Sequence, residues 1–146
     1  MDFDLEKAKQ LLDEAGWKDT DGDNIRDKVV NGEKLQFSFK LSYMSGSAAT
    51  KETALMIKEE MYKAGIDAVP FPMDFTLFYK NAMDHKFDAM MGAWGGSAGY
   101  SDPVQLWHTE SWANKGSNFT GFGDAESDSL LHLANTSLDE TKHINA

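Results

Sequence analysis

Apolar residues recur along this chain with two different periods. Behind Asp4, a residue suited to capping a helix, Leu5, Ala8, Leu11, Leu12 and Ala15 fall on one stripe. Gly16 then stands where a left-handed residue ends a helix. From Lys34 the period changes to two. Leu35, Phe37, Phe39, Leu41 and Tyr43 alternate with Gln36, Ser38, Lys40 and Ser42, which predicts a strand over 35–43 with one face buried. Ser45-Gly46-Ser47 breaks that strand, and Ala54, Ile57, Met61 and Ala64 resume helical spacing until Gly65.

Residues 66–71 read as a second strand, whose Pro70 and Pro72 place it at a sheet edge. Asp74 caps a helix bearing Phe75, Phe78, Tyr79 and Ala82, and residues 87–94 follow as a third strand. Strand, helix, strand, helix, strand is the order of an α/β fold with crossover connections. Asp102-Pro103 opens a helix through Trp107, residues 109–123 have no period and read as loop, and Asp124 caps a last helix with Leu130, Leu131 and Ala134. Ser137-Leu-Asp-Glu140 is a capping box close to Ala146, so the chain is expected to be a segment excised from a longer protein.

A length of 146 residues with 41% apolar content suits one core, and residues 1–146 are expected to form a single α/β lobe. Lys and Arg number 14 against 24 Asp and Glu, a formal charge of −10 that repels phosphate backbones and argues against a nucleic-acid partner. The absence of cysteine removes disulfides, thiolate metal sites and thiol catalysis together. No apolar run approaches the roughly 20 residues of a membrane span, and no signal-peptide pattern opens this segment.

Two stretches carry candidate chemistry. Asp19, Asp21, Asp23, the Ile25 carbonyl and Asp27 occupy positions 1, 3, 5, 7 and 9 of a loop that wraps oxygens around Ca²⁺, although Asn24 replaces its glycine and Val30 its bidentate glutamate. The alternative is a solvated acidic turn. The glycine-rich segment after the third strand carries Trp94, Gly95, Gly96, Ser97, Tyr100 and Asp102, and ligands in open α/β sheets lie beyond such strand ends. Trp94 and Tyr100 are expected to face a ligand and Trp107 the core. Gly95-Gly96-Ser97-Ala98-Gly99 also matches the G-x-S-x-G of a serine hydrolase. An elbow of that kind needs a helix directly after its serine, whereas the next cap here is Asp102.

Of the remaining polar and aromatic groups, His85, His108, His132 and His143 lack metal-ligand spacing and read as surface or capping residues. Met56, Met61, Met83, Met90 and Met91 read as core filler. Asn118-Phe-Thr120 matches a glycosylation sequon and is assigned no role.

Asp4-Leu-Glu-Lys-Ala-Lys-Gln-Leu-Leu-Asp-Glu-Ala-Gly-Trp17 with Asp19-Thr-Asp-Gly-Asp-Asn-Ile-Arg-Asp27 resembles the opening stretch of bacterial extracellular solute-binding proteins of family 5. The likeness continues in order through 35–41, 57–66, Phe87-Asp88, Asp102-Pro103 and Asn118-Phe-Thr-Gly-Phe122 with Asp128. The resemblance implies a type II periplasmic-binding-protein lobe, a mixed sheet flanked by helices. It implies the binding component of an ABC importer, without catalysis and with no required cofactor. Its partners would be a peptide or similar solute, a second lobe of the same protein and a membrane permease. Its location would be periplasmic, or at the cell surface as a lipoprotein. In peptide-binding members an acidic residue shortly after the loop tryptophan pairs with the ligand's amino group, and Ser97 stands at the matching place. Serine hydrolase and calcium-stabilised structural module are the alternatives to this reading.

Overall fold

In the computed structural model, residues 3–93, 95 and 103–136 are described. Contacts gather the chain into two compact units, Met1–Phe78 with Phe87–Gly92, and Tyr79–Lys86 with Ala93–Ala146.

The first unit opens with α1, Leu5–Glu14, whose first turn is capped by the Asp4 carboxylate accepting from the Lys7 amide at 2.9 Å. Gly16, at φ +84, ends it as expected. The short strands β1 (Asp27–Val30) and β2 (Glu33–Gln36) then pair antiparallel as a hairpin. A second sheet contains β3 (Ser38–Met44), then helix α2 (Ala48–Lys63), then β4 (Asp67–Met73). The chain next enters α3 (Phe75–Met83), within which it passes from the first unit to the second, and returns as β5 (Ala89–Met91). Its strand order is β4-β3-β5 and both pairings are parallel. Leu41, Tyr43 and Ala54 are the buried centre between β3 and α2, with Phe39, Ile57, Ala89 and Met91 packed around them.

The strand expected over 35–43 is two strands in two sheets, and Phe37 is where the chain changes partners. Its amide donates to the Arg26 carbonyl at 2.7 Å, while its own carbonyl accepts from the Asp67 amide at 3.0 Å. The missing partner, β1, was hidden in the acidic loop. Asn31 at φ 52 and Gly32 at φ 86 make the left-handed pair of a tight hairpin turn, and Asn-Gly is the sequence signal for it. The third strand is also shorter than residues 87–94. The Asp88 carboxylate accepts from the Lys40 amide at 2.9 Å, taking a β3 donor with a side chain just before β5 begins.

Arg26 joins the pieces of this unit. Its guanidinium donates to the Ala64 carbonyl at 2.8 Å, to the Trp17 carbonyl at 2.6 Å and to the Asp13 carboxylate at 2.5 Å. Its backbone amide donates to the Gly65 carbonyl at 2.8 Å. Trp17 packs on Phe37 with ring centroids 4.5 Å apart. On the face where α1 meets α2, Leu5, Ala8, Leu12, Ile57, Met61 and Ile66 help line an apolar concavity of about 530 Å³. Met56 also lines it and is 58% exposed, so the reading of Met56 as core is corrected. Its helical position places it beside Ile57 at the rim of the buried stripe.

The second unit holds the end of α3, α4 (Val104–Trp107), α5 (Thr109–Ala113) and α6 (Ala125–Thr136). Asp124 caps α6 by accepting from the Glu126 and Ser127 amides at 3.0 and 2.9 Å. Helix α5 lies where loop was expected. Five residues are too few for a legible period, and its first amides depend on side chains: Asp128 accepts from the Thr109 amide at 2.9 Å, and His108 Nδ1 from the Glu110 amide at 3.2 Å. The capping box at 137–140 lies outside the described residues.

Gly65 tests the Arg26 junction. At φ +83 it sits where an L side chain is strained, and a Cβ there would lie 2.8 Å from Arg26 Cγ. Gly65→Ala should therefore lower stability by about 1–3 kcal/mol in urea unfolding, more than an exposed Gly→Ala elsewhere. Asp84 tests the second unit. Lys115 and Lys80 donate to its carboxylate at 2.7 and 2.6 Å and hold its pKa well below the usual carboxylate range. A depressed folded pKa means stability that is fully present above the unfolded pKa of about 4 and lost as pH falls through the folded value. Thermal melts of Asp84→Asn should show a shallower loss of stability below about pH 4 than wild type.

Candidate functional site

Parallel strands leave a recess beyond their carboxyl ends, because each chain must turn away there into a loop or helix. Here β3 ends at Met44 and turns through Ser45-Gly46-Ser47 into α2. The Ser45 amide donates to the Met73 carbonyl at 2.7 Å, which fixes this turn to the end of β4. Gly46 adopts φ +104, and the Ser47 hydroxyl caps α2 by accepting from the Thr50 amide at 3.2 Å. The result is a concavity of about 310 Å³ lined by Tyr43, Ser45, Gly46, Ser47, Ala48, Lys51 and Pro72. The sequence reading did not single these residues out. The signal was present as a small polar Ser-Gly-Ser triplet between a strand and a helix.

Strand β5 reaches the same end of the sheet at Met91, and the glycine-rich segment follows it in sequence. Trp94, Gly96, Ser97, Tyr100 and Asp102 lie outside the described residues. Gly95 is described and exposed, with open space where a side chain would stand.

The acidic loop brings some of its expected ligands together. Carboxylate oxygens of Asp19, Asp21 and Asp27 lie within 4.8 Å of one another. Asp23 is turned away from that group, accepting from the Ile25 amide at 2.8 Å and from Gln36 Nε2 at 2.6 Å. Asn24 takes φ +70 in the glycine position, as the loop pattern requires, and Ile25 is half-buried. The Lys34 ammonium stands among the carboxylates, 2.7 Å from Asp21 and 3.2 Å from Asp27. Its hydrogen bond lowers the Asp21 pKa, and Asp21 in turn raises that of Lys34. Desolvation works to raise the Asp27 pKa, but the Thr20 hydroxyl and amide, with Lys34, outweigh it and hold the group below its ordinary value. The three acids thus form a compact oxygen cluster already carrying one cation.

In the second unit the Asn118 motif proves structural. Asn118 is fully buried, and its amide nitrogen donates to the carbonyls of Trp107, His108 and Phe122 at 3.3, 3.2 and 2.8 Å. Its oxygen accepts from the Thr120 hydroxyl at 3.2 Å, so the sequon residue is a knot inside a loop. Asp128 serves α5 as its cap. Trp107, read as core, is 39% exposed and packs edge-on against Phe122 beside Leu130 and Leu131. The α4 helix is only four residues long, and one short turn does not enclose an indole. His85 stacks on Trp112 with ring centroids 3.4 Å apart, and His108 acts as a cap. His132 is exposed, and His143 lies outside the described residues.

Comparison with known proteins agrees with this geometry. Residues 1–117 match the family "Bacterial extracellular solute-binding proteins, family 5 Middle". The oligopeptide-binding protein AppA of Bacillus subtilis (strain 168) is 33% identical over 145 residues, covering 98% of this chain and 26% of that protein. The nickel-binding periplasmic protein of Escherichia coli (strain K12) is 32% identical over 94 residues, 64% of this chain and 17% of that one. Among solved structures, AppA from Bacillus subtilis in complex with a nonapeptide superposes with a TM-score of 0.82 at 32% identity, covering 99% of this chain and 28% of that one. The oligopeptide binding protein from Thermus thermophilus complexed with a pentapeptide gives 0.83 at 23% identity over 99% of this chain and 26% of the other, a likeness of fold. The chain thus spans about a quarter, or less, of the length of these relatives.

Proposed function

The chain belongs to the bacterial extracellular solute-binding proteins of family 5, and from that premise we propose that it is part of one lobe of the substrate-binding component of an ABC-type importer. It binds and does not catalyse. The observation that carries this reading is the recess at the carboxyl ends of the parallel strands, the place where open α/β sheets hold ligands. Its solute is a peptide or a similar small molecule, a reading supported by relatives named for oligopeptide binding. Its partners are a second lobe and a membrane permease, in the periplasm or at the cell surface. Trp94, Gly95, Gly96, Ser97, Tyr100 and Asp102 contribute a ligand-facing wall. With Ser97 in place of an acid, a peptide's amino end gains no charge-assisted bond from that position.

A stacking tryptophan makes this testable. In the longer protein, Trp94→Ala should weaken solute binding about 10–100-fold by calorimetry while leaving the melting temperature nearly unchanged. Unchanged affinity with a large loss of stability would make Trp94 a core residue and move the site.

A second proposal concerns the acidic loop: it takes Ca²⁺, a stabilising ion rather than a ligand contact, on Asp19, Asp21 and Asp27, with the Ile25 carbonyl and a re-aimed Asp23 completing the shell. The support is the oxygen cluster itself, into which Lys34 places an ammonium as a resident competitor. Calcium should raise the melting temperature by mass action, more steeply in Lys34→Met and not at all in Asp21→Ala. A transition unmoved by calcium in both wild type and Lys34→Met would end this proposal.

A further inference from the structure

We propose that Asn31-Gly32 is a site of spontaneous deamidation, where conversion to isoaspartate opens the β1–β2 turn and frees the Lys34 ammonium from Asp21 and Asp27. The reaction needs only water, and it leaves a carboxylate where the asparagine carried a neutral amide.

In this reaction the Gly32 backbone nitrogen attacks Cγ of the Asn31 side chain. The bond between nitrogen and Cγ forms, the bond from Cγ to Nδ2 breaks, and ammonia leaves with the Gly32 amide proton. Water then adds to either carbonyl of the succinimide ring, giving aspartate or, more often, isoaspartate. Ring closure requires the Gly32 nitrogen to swing toward the side chain, so whatever holds that amide slows the step. Among the described residues nothing holds it: the Gly32 amide has no acceptor and the Asn31 carboxamide no partner. Both residues are exposed, and nothing lies within 4 Å of where a Gly32 side chain would stand. They form the turn of a two-stranded sheet whose strands are four residues long, with β2 exposed throughout, and such a unit opens locally at low cost.

The other described asparagines lack this freedom. The amide after Asn24 belongs to the β-branched Ile25 and donates to the Asp23 carboxylate at 2.8 Å. The amide after Asn114 donates to the Trp112 carbonyl at 3.1 Å, and the one after Asn118 to the Ser117 carbonyl at 3.0 Å. Asn81 and Asn135 lie within α3 and α6, where the following amides are helical donors. Asp21-Gly22 could close the same ring, yet the Gly22 amide donates to Asp19 at 2.7 Å and the Asp21 carboxylate is paired with Lys34. Isoaspartate routes the main chain through its own Cβ and so lengthens the turn. The two-residue connection depends on Asn31 and Gly32 both being left-handed, and the longer backbone cannot close it with Val30 still opposite Glu33. Lys34, the next residue of β2, then loses the register that sets its ammonium 2.7 Å from Asp21 and 3.2 Å from Asp27.

The test ages the longer protein in metal-free, mildly alkaline buffer and maps its peptides by mass spectrometry, with fragmentation that separates aspartate from isoaspartate. Asn31 should convert first, about tenfold faster than Asn24 or Asn114, and chiefly to isoaspartate. Conversion of Asn31 no faster than of Asn114 would overturn the assignment. The isoaspartyl form, separated by ion exchange through its added charge, should melt below fresh wild type, while Asn31→Gly should keep its melting temperature on ageing. Fresh Asn31→Asp, whose backbone is not lengthened, should melt like fresh wild type. An isoaspartyl form as stable as the fresh protein, or an Asn31→Asp protein as unstable as the isoaspartyl form, would refute the opening of the turn. In Lys34→Met the contact to Asp21 and Asp27 is already gone, so ageing should lower its melting temperature clearly less than it lowers that of wild type. An equal drop would sever Lys34 from the reaction and overturn that part of the proposal.

Discussion

Arg26 is the residue on which the first unit turns. One planar guanidinium reaches the end of α1 through Asp13 and Trp17 and the end of α2 through Ala64, while its backbone bonds to Gly65 and Phe37. A charge so largely withdrawn from water has to find several acceptors, and here they belong to the ends of two helices. The start of β3 is fixed by the same junction, since Phe37 bonds to Arg26 on one side and to Asp67 on the other. The register of the parallel sheet follows, and with it the height at which Tyr43, Ser47 and Pro72 meet at the far end.

Much of this was legible in the sequence where a local rule applied. Asp4, Ser47 and Asp124 cap helices through the short polar side chains that mark such positions, and Gly16 and Gly65 end two of them in the left-handed region. The proline-bearing β4 is an edge strand, as Pro70 and Pro72 suggested. What escaped depended on distance. Alternation ran unbroken from Leu35 to Tyr43, so nothing local marked Phe37 as the point where one sheet gives way to another. The first amide of helix α5 finds its acceptor in Asp128, 19 residues beyond Thr109. Trp107 and Met56 looked like core because they are apolar, whereas exposure is decided by what packs over them.

The candidate site divides in the same way. The glycine-rich segment announced itself by composition, while the recess at Ser45–Lys51 needed the parallel pairing of β3 and β4 before its residues met. The acidic loop was visible as a spacing of aspartates, yet Lys34, seven residues past the last of them, supplies the charge that the spacing did not mention. Asn118 and Asp128, prominent in the family resemblance, turn out to organise a loop and a helix end. Family likeness at these two positions therefore marks architecture.

The prolines of β4 have one more effect. The Asp67 amide and the Met73 carbonyl both bond toward β3, so odd-numbered residues of this strand face inward and even-numbered ones face out. Of the outward positions 68, 70 and 72, two are proline and lack an amide hydrogen. A foreign strand approaching this edge finds one N–H where three would stand, too few to extend the ladder. The sheet thus carries a guard against edge-to-edge aggregation on the side of β4 that is unpaired among the described residues.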